Sequence, residues 1–578
     1  MENIEAFNLT TVDIIVFAAY FVMLLVVGYW AGRKETKNAE DYFLAGRRLP
    51  WYVVGGSFIA SNISSEQLIG MVGAAYVYGI CVSLSEWRNV WTFSIMVWFF
   101  VPFLIASKAF TIPEFLERRF NNTIRQFFAI ITIVTNVFAF MAAVMYGGGL
   151  GLNQLFGWNL TFAIIALAVV AGSLAIYGGL SSVAWTDFFT IIIIFVGGIL
   201  LTILGLIYVS ADHQSIVEGF KTMIETNQAK TGAWKEAVDK LTMQLAGKEH
   251  YNRLSVFQPI SHRTHPWPFI LFGFLSVSIW YNVINQFMIQ RVLGAKNIYH
   301  ARMGIIFAGF MKLLLPIITV VPGLILFTLF PDKILNLDWG QLQGEANRGY
   351  VKLVQLVIPI GIRGLVLAAL FGAIQSTINS VLNSTSTIFT IDIWQKWIKP
   401  KSSDKQIVWV GVISSTIFLV IAIILAIMIS HMQENLFVYI QTLYAFFAPP
   451  FSAIFLLGIL WKRINAKGAT IAVFCGFGFG ILMKIGAANW AGFPAWLRPY
   501  EMQSIANWCF CILLCTVVSL ITKPPLPEKI TEKLTFSLKN ANVTDGLGKN
   551  WYTSVVFWWA LFTVGIIGML IIFSGFLL

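Results

Sequence analysis

Four ionisable side chains stand inside long apolar stretches: Lys312 in GIIFAGFMKLLLPIITVVPG, Glu86 and Arg88 in SEWRNV, and Asp187 after YGGLSSVAWT. A charge at the centre of a membrane span costs about 2.5–3.5 kcal/mol on insertion scales, so each needs a partner, a cavity or a cargo. Lys312 lies too deep to reach water with its stem. Glu86 is suited to be its partner across helices or to accept hydrogen bonds from the hydroxyls of a bound solute. Arg88, two positions on, is expected on another helix face. A structural ion pair is the plainer account of Lys312 and Glu86. For Asp187 it is a carboxylate at the start of a helix, favoured by the macrodipole.

Oxygen ligands for a hard cation would come from Ser376, Thr377 and Ser380 in AIQSTINSVLNSTSTIFTIDIW. Hydroxyls in membrane helices mostly pack or bond back to the preceding turn. Beside carbonyls freed at a helix break, however, they supply the oxygens such an ion requires. Two apolar segments are interrupted in that way. One carries Ser61, Asn62, Ser64, Ser65, Glu66 and Gln67 in its middle, the other Ser276, Ser278, Tyr281, Asn282, Asn285 and Gln286. Unwound backbone at membrane depth is tolerated where it is buried in protein or lines a cavity, so the breaks mark a candidate binding site.

The elements that must position these groups are membrane spans. Of 578 residues 58% are hydrophobic and only 11% charged, against roughly 25% charged in a soluble domain. Apolar runs of span length are expected near 12–31, 51–77, 80–106, 125–150, 160–178, 184–209, 267–292, 303–330, 364–394, 407–430, 436–460, 466–487, 503–522 and 552–577, about fourteen in all. The first is a full span without a small-residue cleavage site, so it is expected in the mature chain. The formal charge of +12 follows topology rather than nucleic-acid binding. Lys and Arg crowd alternate loops, including Arg291, Lys296 and Arg302 after the seventh span, which orients both termini outward. Cys81, Cys475, Cys509, Cys511 and Cys515 fall within spans and read as packing residues, not a disulfide or zinc framework. There is no phosphate loop, HExxH or nucleophile elbow, which argues against an ATP-driven pump or a hydrolase; no enzymatic activity is expected. The interrupted spans are the second and seventh, as two inverted repeats would place them. The chain divides into a first flanking helix and loop (1–50), a first repeat (51–209), an outer loop (210–266), a second repeat (267–460) and C-terminal flanking helices (461–578).

Over nearly its whole length the sequence resembles the solute:sodium symporter family, in its sodium/sugar branch. The likeness rests on DYFLAGRRLPWYVVGGSFIASNISSEQLIGM (41–71), SEWRNV (85–90), FTIPEFLERRFN (110–121), YGGLSSVAWTD (177–187), NQFMIQRVLGAK (285–296), LNSTSTIFTIDIW (382–394), YIQTLYAFFAPP (439–450) and IFLLGILWKR (454–463). The resemblance implies an all-α membrane protein with the leucine-transporter type of 5+5 inverted-repeat core, working by alternating access. It implies a sodium site at Ala60, Ile63, Ala373, Ser376 and Thr377. A second sodium site, found in some members, would use Asp187, Ser376 and Ser380, with Asn379 standing where those members carry a hydroxyl. For the sugar it implies Asn62, Gln67, Glu86, Lys312 and Gln441 as a polar ring and Tyr281 as the aromatic under the pyranose. Ser85, Asn89 and Ser278 depart from the bacterial galactose pattern.

The expected function is therefore sodium-coupled symport of a hexose such as glucose or galactose across an inner or plasma membrane. Sodium is the coupling ion, and sugar, sodium and lipid are the partners. Alternatives on the same fold are myo-inositol, sialic acid or another carboxylate, which would meet Lys312 as a counter-charge. A sugar sensor without turnover or an ion channel are rivals of a different class.

Overall fold

The computed structural model describes residues 9–33, 38–246, 251–429, 436–536 and 545–575. The chain is a helical membrane protein, and among the described residues the only extended pairings are two isolated bridges, one of them Leu49 with Ala295. Among the described residues, eleven helices are long and apolar enough to cross a membrane, or up to twelve with one bent pair counted as a span. The expected fourteen is not reached by that count, because several expected spans run on as single helices. Leu160–Val209 is a kinked helical run of 50 residues, roughly 75 Å of helix at 1.5 Å per residue, enough for two crossings of the hydrocarbon core. It contains the expected spans 160–178 and 184–209, separated at Gly179, where φ 54° and ψ −151° interrupt the helical geometry. A Cβ on Gly179 would lie 2.3 Å from the Tyr42 carbonyl oxygen, so only glycine permits both the turn and the close approach. Glu66–Ser107 likewise runs as one helical stretch of 42 residues.

Both interruptions read from the polar runs are breaks in the backbone. The first helix, Trp51–Asn62, ends at Ile63 in extended geometry (φ −88°, ψ 115°) and the chain resumes with a π turn at Glu66–Met71. The side chain of Gln67 caps the break, its Oε1 accepting from the Ser64 amide at 3.0 Å. In the second, Pro268–Ile284 and Gln286–Leu293 meet at an angle of 52°, with Asn285 extended between them (φ −66°, ψ 120°). Asn285 then caps the following helix, accepting from the Phe287 amide at 3.4 Å.

The hydroxyl-rich helix Arg363–Ile388 is buried at every position from Val366 onward and packs along Leu160–Val209. Thr11–Gly32, Ala466–Asn489, Tyr500–Ile521 and Val555–Ile572 bury little and expose rows of Ile, Leu, Val and Phe, the surface a helix shows to lipid. These outer helices leave the polar residues to the centre.

Several details differ from the sequence reading. The segment 210–266, expected as an outer loop, contains helices Ile216–Gln228 and Gly232–Leu245, and helices Pro331–Asn336, Trp339–Ala346 and Gly349–Val357 precede the hydroxyl-rich helix. Arg291 and Arg302 are fully buried, not loop charges, because the helix containing Arg291 turns back into the bundle after Asn285. All five cysteines are free, and while Cys81, Cys511 and Cys515 pack inside, Cys475 and Cys509 are exposed on their helices.

Candidate functional site: a polar cavity and a hydroxyl cluster at two helix breaks

The two breaks face one another across a small internal cavity. Asn62, Gln67, Glu86, Tyr281, Lys312 and Gln441 all line it, joined by Glu66, Ser85, Arg88, Asn89, Ser278, Asn282 and Tyr444. Lys312 donates to Glu86 Oε2 and to Asn62 Oδ1, so the ion pair weighed from sequence is present, tied to the end of the first broken helix. Asn62 in turn donates to the Tyr281 hydroxyl at 2.6 Å, which links the two breaks directly. The Tyr281 ring stands 5.1 Å from that of Tyr444, and Trp280 lies 5.6 Å from Tyr444. Gln441 donates to Glu66 Oε1 at 2.9 Å, while Glu66 Oε2 is buried without a partner. Asn282 donates to Asn89 Oδ1 at 2.8 Å. This wall is lined with donors and acceptors and carries aromatic faces at one side, the combination a polyhydroxylated ring requires.

Arg88 is not turned away from Glu86. The stretch Gly79–Phe100 alternates 3-10, α and π turns, so ideal helical spacing does not hold, and Arg88 borders the same cavity as Glu86. Its Nε donates to Ser278 Oγ at 3.1 Å.

Below the cavity, the hydroxyl-rich helix meets the first break. Thr377 Oγ1 lies 3.1 Å from the Ile63 carbonyl oxygen, 3.3 Å from that of Ser61 and 3.1 Å from that of Ala373. Ala60 is buried one turn earlier on the same helix. Carbonyl and hydroxyl oxygens converging at a helix break are the donor set a sodium ion takes. Ser376 points elsewhere, donating to Asp187 Oδ1 at 2.6 Å.

Asp187 lies about two turns beyond the Gly179 break, past the first turn of the helical segment that follows it, and is 1% exposed. Its Oδ2 accepts from Ser57 at 2.6 Å and from Ser61 at 3.3 Å and lies 3.8 Å from Arg291 Nη2. Arg291 also donates to Ser380 and to Ser57 Oγ at 3.0 Å, and Ser380 shares a hydrogen bond with Ser61 at 2.7 Å. A guanidinium thus already stands between Asp187 and Ser380. The sequence reading missed Arg291 by counting it as a loop charge. Ser57 and Ser61, four apart and hence on one helix face, were a signal that could have been used.

The comparisons agree with this architecture. The model of the sodium:solute symporter family matches residues 42–476. A sodium/glucose cotransporter of Vibrio parahaemolyticus is 34% identical over 90% of this chain and 92% of its own. The human sodium/myo-inositol cotransporter is 32% identical over 93% of this chain and 77% of its own. Among solved structures, the outward-open state of a Na+-coupled sialic acid symporter matches with a TM-score of 0.73 at 22% identity, covering 89% of this chain and 99% of that one. At that identity the match bears on the fold alone.

Proposed function

Because this chain belongs to the sodium:solute symporter family, and so is a multi-pass, sodium-coupled membrane transporter rather than an enzyme, we propose that its cargo is a sugar of the hexose class. The reading is supported chiefly by one observation: Asn62 and Ile63, neighbours at a single helix break, face the polar cavity and the oxygen cluster respectively. In this scheme sodium enters from outside between the carbonyls of Ala60, Ile63 and Ala373 and the hydroxyls of Ser376 and Thr377, with Ser376 turning from Asp187 to reach it. The ion braces the end of the broken helix. Asn62, Gln67, Glu86, Lys312 and Gln441 then hold the hydroxyls while Tyr281 covers the ring. A second ion at Asp187 and Ser380 would have to displace the Arg291 guanidinium. Segments 51–209 and 267–460 are the two repeats that rock about the site, and both termini are extracytoplasmic.

The free energy available is considerable. One charge moving through 100 mV is worth about 2.3 kcal/mol and a tenfold ion gradient about 1.4 kcal/mol, which together hold a neutral solute at roughly 500-fold accumulation per sodium. The test is uptake of radiolabelled glucose and galactose into proteoliposomes, with an inward sodium gradient against a potassium control. Accumulation that needs sodium supports the reading; sodium-independent uptake removes the symport mechanism. A second reading, a cyclic polyol in place of a pyranose, is favoured by the myo-inositol relatives, and including myo-inositol in the panel separates the two.

A further inference from the structure

We infer that the transported sugar carries a carboxylate and that Arg88 receives it; this rests on the sugar reading above and narrows it. Arg88 is 4% exposed and borders the central cavity. Its guanidinium carbon lies 4.2 Å from the centre of the Phe269 ring, and Nε is committed to Ser278. Among the described residues no carboxylate oxygen comes within 4.0 Å of it, whereas Lys312, Arg125 and Arg291 each have one. Two other deeply buried arginines lean mainly on backbone: Arg119 donates to the carbonyls of Gly458, Trp461 and Ile464, with only Nη1 left without a partner, and Arg253 donates to those of Val77, Ala75 and Tyr76. Arg88 alone among these has most of its donors uncommitted and a cavity beside them.

The neighbouring charges do not fill the gap. Glu86 is held by Lys312. Glu501 acts on Arg88 electrostatically but stays outside ion-pair distance and accepts from the Tyr500 hydroxyl at 3.3 Å. Lys312 is not available for an incoming anion, since Glu86 and Asn62 already take it. An unpaired cation out of water is costly unless a partner arrives. A planar guanidinium with a free fork matches the two oxygens of a carboxylate better than it matches a single hydroxyl. Beside it, Asn282 Oδ1 is buried without a partner and is placed to accept from a ring hydroxyl. The cargo these groups fit is a sugar acid, a hexuronate or an aldonate, monoanionic at neutral pH.

The test is a sodium-driven proteoliposome uptake panel with glucuronate, galacturonate and gluconate against glucose, galactose and myo-inositol, for the parent chain, Arg88→Gln and Arg88→Lys. The expected result is uptake of at least one acid that the neutral sugars compete poorly, reduced on the order of 10- to 100-fold in Arg88→Gln and partly kept in Arg88→Lys. Sodium-driven uptake of neutral sugars with no acid transported or competing overturns the inference and leaves the sugar reading intact. Uptake of none of the six removes both. Acid uptake unaffected by Arg88→Gln overturns the assignment of Arg88. Should Arg88→Gln not fold, acid against neutral uptake by the parent decides the cargo, and Arg88→Lys, which keeps the charge without the fork, decides the residue.

Discussion

Replacing Thr377 with Val removes one oxygen and keeps the branched shape, which makes it the sharpest probe of the proposed sodium site. The contact of Thr377 Oγ1 with Ala373 O, at 3.1 Å, is the ordinary bond to the preceding turn. Its approaches to Ile63 O at 3.1 Å and Ser61 O at 3.3 Å cross between helices and define the cluster. An oxygen that touches a charged group is worth about 1.5–3 kcal/mol, which is on the order of 10- to 150-fold in sodium affinity. The same substitution leaves carbonyls at the break with one donor fewer, at a cost of about 1–3 kcal/mol in stability. The half-saturating sodium concentration for solute uptake should therefore rise by one to two orders of magnitude in a protein that still unfolds cooperatively in detergent. By linkage, solute affinity measured without sodium should be unchanged, and only the gain conferred by sodium should shrink. A folded Thr377→Val protein with the parent's sodium dependence would refute the assignment.

Three further outcomes follow from the same structure. Lys312→Met leaves Glu86 buried and unpaired, so thermal denaturation should report a loss of about 3–5 kcal/mol, and adding Glu86→Gln should recover most of it without restoring uptake. Between helix Gly232–Leu245 and the helix that begins at Pro268, burial pushes His262 down to about 3 and His265 well below the usual imidazole range, and His262 Nδ1 accepts from the amides of Thr264 and His265 at 3.3 and 3.0 Å. The unfolded chain takes up protons below about pH 6.5 while the folded one does not. Stability should thus be full above pH 6.5 and fall as pH drops toward 3, and melting curves at pH 7.5, 6 and 5 should show less of that slope in His262→Phe. Gly179→Ala places a Cβ against the Tyr42 carbonyl in a backbone region hostile to alanine, which costs about 1–3 kcal/mol in strain alone; a melting temperature equal to the parent's would contradict the kink.

Polarity out of place was the informative signal in the sequence. The runs at Ser61–Gln67 and Ser276–Gln286 located both breaks because apolar spans have no other use for consecutive amides and hydroxyls, and the charge of Lys312 led to Glu86. What could not be read were features set by tertiary placement. Arg88 sits on an irregular stretch where ideal helical spacing misassigns its direction. Arg291 follows an apolar span and reads as a loop charge, yet Asn285 redirects the chain so that it enters the core. The helices do not map one to one onto the expected spans for a related reason: hydropathy separates segments at polar or glycine residues, whereas the backbone turns at Gly179 and carries on. The family motifs pointed to residues that the fold gathers around the two breaks, but not to which hydroxyl meets which carboxylate.

The two clusters share one backbone. Asn62 closes the helix Trp51–Asn62, and its side chain is held by Lys312 and Tyr281; the next carbonyl, of Ile63, accepts from Thr377. Any ion drawn to that carbonyl fixes the residue before it, and any solute that replaces the Lys312 or Tyr281 contacts of Asn62 acts on the carbonyl after it. Coupling then needs no long pathway, since both ligands bias the conformation of two adjacent residues at one break. The size of the coupling is the difference in that bias between the two states of the break, typically about 1–3 kcal/mol. A chain in which the break was straightened into continuous helix would lose the free carbonyl and the orientation of Asn62 together. Sodium and solute binding should accordingly fail as a pair under substitutions at Ile63–Ser65, whereas changes at Tyr444 or Gln441, which line the cavity from another helix, should weaken the solute alone.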